Sequence, residues 1–209
     1  MTRLAVVIPV KSTGVKSRLS AVLSAAQRKE LGMLMLEDVL AAVAGAGLSE
    51  SCFVVSSDRA VLELAARHRA KGVQEEGDSG VNHAVEAGVM ASRAGRVLVL
   101  PADLPLLSSA DVEAVVSLAD RGAEVVLSPS MAFDGTNSLI FSAEAGLRLS
   151  YDRDSFWNHL ASAASAGLSA AVSARPGVML DIDSPDDLRR LAASPSAGRA
   201  ARYSRTVVL

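Results

Sequence analysis

RVLVLPADLPLL, residues 96–107, sets four apolar residues in a row, Val97-Leu98-Val99-Leu100, and stops them at Pro101. A short apolar run rich in β-branched residues suits a strand buried on both faces of a parallel sheet. The first polar side chain after it is Asp103, and Pro105 stiffens the exit before Ser108 and Ser109 open a helix. Open α/β sheets bind ligands beyond the carboxyl ends of their strands. A carboxylate held there between two prolines of fixed φ therefore reads as a ligand group. The alternative is that Asp103 only caps a turn, and this stretch alone does not choose.

On either side of this strand the chain alternates. Upstream, residues 4–10 read as a strand and 11–23 as a loop. Ser24 and Gln27 match a capping box for a helix to about Gly45, with Leu31, Met35, Val39 and Val43 four apart. Residues 51–56 form a second strand, Asp58 caps a helix over 60–69, and 72–75 is a third strand. A turn-rich loop, 77–82, opens a helix over 83–94. Downstream, residues 108–111 cap a helix to about Arg121, and 123–128 is another strand. This order predicts an α/β fold: a single-domain, doubly wound, mostly parallel sheet with right-handed crossovers.

The pattern then changes. Residues 131–137 read as a loop, 138–141 as a short strand, and Ser155 opens a helix over 156–166. Residues 167–174 and 178–182 read as strands. Ser184, Pro185 and Asp187 make a helix start. From Ser194 no apolar period remains, so residues 1–193 are expected to form the domain and 194–209 a disordered tail.

Composition narrows the function. The 209 residues are 50% hydrophobic and 21% charged, as in a globular domain, and no apolar run reaches the ~18 residues of a membrane span. A net charge of −2 with 3% aromatics gives nucleic acid neither electrostatic attraction nor a stacking surface. The first residues run directly into a strand, unlike a signal peptide. A single cysteine, Cys52, excludes an internal disulfide and fits a reducing cytoplasm.

Two groups of residues point to chemistry. A phosphate-binding GxxxxGK[ST] loop ending on Lys16-Ser17 would need glycine at positions 15 and 10, and both are valine. What remains is Lys11, Lys16 and Arg18 at the end of the first strand, suited to polyphosphate, or else a solvated basic loop. The second group is Asp181-Ile182-Asp183. Alternation along an extended segment turns both carboxylates one way and Ile182 inward. With Asp103 they offer the oxygen-rich surroundings that Mg²⁺ prefers and shares with phosphates, unless Asp183 belongs to the cap of the last helix. His68, His83 and His159 are scattered and Cys52 has no partner, which argues against a zinc site or a Cys/His or Ser/His hydrolase. Surface or packing roles are expected for His83 and His159. Cations at one strand end and carboxylates at two others suggest a nucleotidyltransferase, in which the acceptor's own phosphate attacks in line and no protein nucleophile is needed.

Eight segments in order carry a family resemblance: IPVKSTGVKSRLS (8–20), QRKELGMLMLEDVL (27–40), VVSSD (54–58), GVNHAV (80–85), LPADLPLLS (100–108), DGTNSL (134–139), YDRDSFWNHLASA (151–163) and LDIDSPDDL (180–188). Together they resemble the 2-phospho-L-lactate/phosphoenolpyruvate guanylyltransferase family of deazaflavin coenzyme F-420 biosynthesis, over residues 4–191. The resemblance implies a nucleotide-diphospho-sugar transferase-like fold. It implies transfer of GMP from GTP to the phosphate of a small phospho-acid, with Mg²⁺ and release of pyrophosphate. It assigns the metal to Asp103, Asp181 and Asp183, and the GTP phosphates to Lys11, Lys16 and Arg18. Gly80 and Asn82 fall near the nucleoside, and Thr136, Asp152 and Ser155 near the acceptor. Val81 stands where the family has leucine and Asp152 where it has glycine. An aspartate facing an anionic acceptor would repel it, so its side chain is expected to turn outward, toward Arg153. Arginine- and alanine-rich composition resembles that of a GC-rich bacterium and favours phosphoenolpyruvate over 2-phospho-L-lactate or 3-phospho-D-glycerate. The other readings are a nucleotidyltransferase for another acceptor such as a sugar phosphate, and a non-catalytic nucleotide-binding module. Oligomeric state is not legible, and a homodimer stays open.

Overall fold

Apolar runs separated by capped helices build one seven-stranded sheet. The computed structural model describes residues 4–11, 16–77 and 80–208; Val15 of the rejected phosphate-loop pattern, and Asp78 and Ser79 of the turn-rich loop, lie outside them. The strands are β1 (Leu4–Pro9), β2 (Cys52–Ser56), β3 (Lys71–Gln74), β4 (Arg96–Val99), β5 (Val125–Pro129), β6 (Thr136–Ser142) and β7 (Ala170–Val172). Their spatial order is β3-β2-β1-β4-β6-β5-β7. β6 runs antiparallel to β4 and β5, and the other pairs are parallel. The helices are α1 (Ala25–Gly45), α2 (Arg59–Arg67), α3 (Val81–Ser92), α4 (Ser109–Asp120), α5 (Ser155–Ser165), the single turn α6 (Pro176–Met179), α7 (Pro185–Ala193) and α8 (Arg199–Val207). No helix among the described residues is long and apolar enough to cross a membrane.

The strands alternate sides as their period of two demands. Val6 and Ile8 of β1 pack with Leu36, Val39 and Val43 of α1 and Val112 and Val115 of α4 on one face. Val7 points to the other face, with Val55, Val99, Ala84 and Val85 of α3 and Phe156 of α5. α3 approaches closely enough that a Cβ on Gly88 would lie 2.4 Å from Val7 Cγ1. The capping boxes at Ser24/Gln27, Ser108/Asp111 and Ser184/Asp187 all form, and Asp58 caps α2.

Three expectations change. Thr136 and Asn137 belong to β6, not to the loop before it. Residues 178–182 are no strand: Pro176 opens the turn α6, because its fixed φ suits a first helical position and it has no N–H for a ladder. The carbonyls of Val178 and Met179 accept instead from the Asn137 side chain, and that of Met179 also from Met131 N–H. The expected disordered tail contains α8, whose Ala200, Ala201 and Ser204 are buried. Its first amides, Arg199 N–H and Ala200 N–H, donate at 2.9 Å to the two carboxylate oxygens of Asp38 on α1. With α1 and α7 it encloses a separate apolar cluster around Leu31, Met35, Leu188 and Leu191.

Candidate active site

Parallel strands β1 and β4 end at one edge of the sheet, and antiparallel β6 begins there. The cavity at that edge, about 470 Å³, is therefore lined by Pro9 and Val10 after β1, Pro101 to Asp103 after β4, and Gly135 to Asn137 entering β6. Lys11, Lys16 and Arg18 close one side; Tyr151, Asp152 and Ser155 close another; Asp181 and Asp183 complete it. Gly80 and Asn82 do not line it, although Val81 between them does.

At its centre the Lys16 ammonium sits 2.5 Å from Asp103 Oδ2 and 2.7 Å from Asp183 Oδ1. Lys16 has left-handed backbone (φ 53°) ahead of a 3-10 turn, Ser17–Ala21. Burial alone would lower its pKa, but the Asp103 and Asp183 carboxylates outweigh that and raise it, so it stays charged. Asp103 is thus no turn cap, and Asp183 is no helix cap, since Ser184 fills that place. Asp181 accepts from Asn137 Nδ2 at 3.1 Å. Burial first, then the charge of Asp103, with a smaller push from Asp183, lifts its pKa to about 6. Ile182 is fully buried between the two acids, and its N–H reaches the Asp103 carbonyl at 3.2 Å. The expected alternation of Asp181 and Asp183 therefore holds without a strand to produce it.

This donor set suits a hard cation. Asp103 Oδ1 is buried and has no hydrogen-bond partner among the described residues, which is costly unless a cation meets it. The charges of Asp103 and Asp183 add to burial in lifting the Asp181 pKa, a second mark of crowded negative charge. The three carboxylates do not form a closed ligand set among the described residues; the cation bridging two of them is Lys16. Mg²⁺ fits such an open set, because it commonly takes one or two carboxylates and completes its shell with water and phosphate oxygens.

The opposite wall carries hydroxyls, with the Asp152 carboxylate beside them. Ser155 Oγ accepts the Thr136 N–H at 2.9 Å, and Thr136 Oγ1 lies 2.9 Å from His159 Nδ1. Asn82 Oδ1 accepts the Tyr151 N–H at 2.8 Å, and Asn82 Nδ2 lies 3.4 Å from Asp152 Oδ2. Asp152 thus leans on Asn82, not on Arg153, and Asn82 supports the loop on the Ser155 side. Asp152 has no positive φ; the left-handed residue is Asp154, at 57°, so replacing glycine at 152 strains nothing. Arg18 lies near Asp134, whose carboxyl the Ser130 hydroxyl, at 2.7 Å, holds below the usual range, with Arg18 adding to the effect.

Two residues escaped the sequence reading. Asn137, in the quoted DGTNSL segment, fastens residues 178–181. His159, expected only to pack or face solvent, is fully buried and hydrogen-bonded at both ring nitrogens. A polar residue two steps past the glycine of a turn was the available signal for Asn137; nothing local marked His159.

Comparison with known proteins agrees with the fold. Residues 4–209 match the family described as "Guanylyl transferase CofC like", so the match extends through α8. A phosphoenolpyruvate guanylyltransferase from Rubrobacter xylanophilus is 45% identical over 90% of this chain and 93% of its own. A 2-phospho-L-lactate guanylyltransferase from Methanothermobacter thermautotrophicus is 35% identical over 95% and 88%. The solved structure of a nucleotidyl transferase from the latter organism superposes with a TM-score of 0.68 at 20% identity, covering 97% of this chain and 98% of that one.

Proposed function

This chain belongs to the CofC-like guanylyl transferase family, and we propose that it transfers GMP from GTP to the phosphate of phosphoenolpyruvate, releasing pyrophosphate. The reading rests most on one observation, the Lys16 ammonium held between Asp103 and Asp183 in a cavity whose far wall carries the hydroxyls of Thr136 and Ser155. Cation and carboxylates suit the triphosphate end of GTP, and the hydroxyl wall suits the acceptor.

Lys16, Lys11 and Arg18 would neutralise the triphosphate, and positive charge on the leaving pyrophosphate lowers the barrier where charge develops. Asp103, Asp181 and Asp183 would hold Mg²⁺, which supplies charge neutralisation at the phosphates. Ser155 and Thr136 would hold the acceptor, whose phosphate oxygen is already anionic, so no side chain need remove a proton from it. Gly80 and Asn82 would act from the rim, Gly80 as the left-handed start of α3 (φ 92°) and Asn82 through the loop it supports. Asp152 stands beside the acceptor and is turned from it. The 45% identical relative's name supports phosphoenolpyruvate, and the product would feed assembly of coenzyme F-420.

Pyrophosphate release should be measured with GTP, Mg²⁺ and each of phosphoenolpyruvate, 2-phospho-L-lactate and 3-phospho-D-glycerate, with the coupled product identified by mass. Turnover with phosphoenolpyruvate at least about tenfold better in kcat/KM than with the others is expected. Preference for another acid would reassign the acceptor, and no release with any would overturn the reading.

A further inference from the structure

His159 lies in α5 behind the hydroxyl wall and touches neither Asp103, Asp181 nor Asp183. Its Nε2 is 2.9 Å from Ser150 N, and its Nδ1 is 2.9 Å from Thr136 Oγ1. A backbone N–H can only donate, so Nε2 must present a lone pair and the ring must be neutral. The proton then sits on Nδ1 and is donated to Thr136 Oγ1. Tyr151 packs edge-on against the ring at 4.8 Å, and burial, which lowers the imidazole pKa to about 4, keeps it neutral. With a lone pair of Thr136 Oγ1 so engaged, the hydroxyl's own hydrogen has no partner among the described residues, and Thr136 lines the cavity. Ser155 Oγ, already accepting from Thr136 N–H, is left in the same state.

We propose that His159 is a positioning residue: by donating from Nδ1 it fixes the Thr136 hydroxyl as a donor into the cavity, aimed at an anionic oxygen of the acceptor. The inference rests on the reading of this cavity as a phospho-acid site. Were the imidazole reversed, Thr136 would present a lone pair to an anion and repel it. The chain Ser150–His159–Thr136 thus joins the acceptor loop, α5 and the start of β6 into one polarised line.

The two ring nitrogens can be tested apart. Asparagine reaches only to the Nδ1 position and can still donate to Thr136; glutamine reaches to the Nε2 position and keeps the Ser150 contact. Pyrophosphate release is measured for wild type, H159N, H159Q, T136V and the T136V/H159Q double variant, varying phosphoenolpyruvate and GTP separately. We expect H159Q and T136V each to raise the acceptor KM about tenfold, as for a lost hydrogen bond to a charged group, with GTP KM changed less than about twofold. H159N should stay within about threefold of wild type, and H159Q should add nothing in the T136V background. H159N as poor as H159Q, or full additivity of T136V with H159Q, would overturn the proposal and leave His159 a support for the loop. A wild type that turns over none of the phospho-acids would instead overturn the functional reading, and this one with it.

Discussion

Single residues divide here into those that meet charge and those that hold them in place. Asp103→Asn keeps shape but removes one charge from the centre; turnover should fall at least about 100-fold while circular dichroism and urea midpoint stay near wild type. Near-normal turnover at saturating Mg²⁺ would contradict its metal role. Asp152→Gly should change acceptor KM less than about threefold, since that side chain is exposed, leans on Asn82 and carries no backbone strain; a tenfold gain in affinity would show it repels the acceptor. His159 predicts a pH effect on stability. Its pKa is held at about 4 in the folded protein against ~6.5 when unfolded, so between those values the unfolded chain binds more protons. Stability is therefore full above ~6.5 and falls as pH drops toward 4, by up to about 3 kcal/mol. Urea melts of wild type and H159Q across pH 4–7.5 should show this contribution in the former alone. Asp103, Lys11 and the pair Asp181 and Asp183 were legible because each follows closely on an apolar run, and Lys16 and Arg18 because they share the loop that Lys11 opens. His159 was not, because its partners come from 9 and 23 positions away and only the fold assembles them.

At the level of elements, α8 shows what local pattern reading misses. Its buried positions, Ala200, Ala201 and Ser204, do follow a helical period, but they are small, and a stripe of small residues carries little hydropathy. Its N-terminal cap is Asp38, 161 positions earlier, so no Ser, Thr, Asp or Asn at the start announces it. Asp38→Ala should destabilise by about 2 kcal/mol, as for a buried cap that leaves two amides unmet, read as a shift in urea midpoint at unchanged m-value. Deletion from Ser194 onward strips α8 from Leu31, Met35 and Leu191 and should lower the midpoint further; an unchanged midpoint would return the segment to the tail it resembles in sequence. Gly88→Ala should cost about 1–3 kcal/mol, because Val7 leaves no room between α3 and β1. The same limit explains 178–182: the apolar run Val178-Met179-Leu180 suggested a strand, yet Pro176 and the side chain of Asn137, 41 positions before Val178, committed its backbone elsewhere.

In the molecule as a whole, one reversed strand makes the site. The parallel strands deliver their carboxyl ends, and with them Lys11 and Asp103, to one edge; β6, running the other way, delivers its amino end, and with it Thr136 and Asn137, to the same edge. The early half of the chain thereby provides the cations, the late half provides Asp181, Asp183 and the hydroxyls, and a ligand spanning the cavity joins both. Such a ligand binds only the folded chain and should stabilise it by about 2.7 kcal/mol at a hundred times its Kd, or about 5–10 °C in melting temperature for a domain of this length. GTP with Mg²⁺ should produce that shift. GTP with EDTA should produce less than about a third of it, because Lys16 then stays paired with Asp103 and Asp183 and three carboxylates face the triphosphate with one of their cations already engaged. Asp183→Asn should narrow the gap between the two conditions from both sides, weakening the Mg²⁺-dependent shift while freeing Lys16 for GTP alone. Equal shifts with Mg²⁺ and with EDTA in the wild type would mean that the triphosphate binds without a metal, and that Asp103, Asp181 and Asp183 serve Lys16 and nothing else.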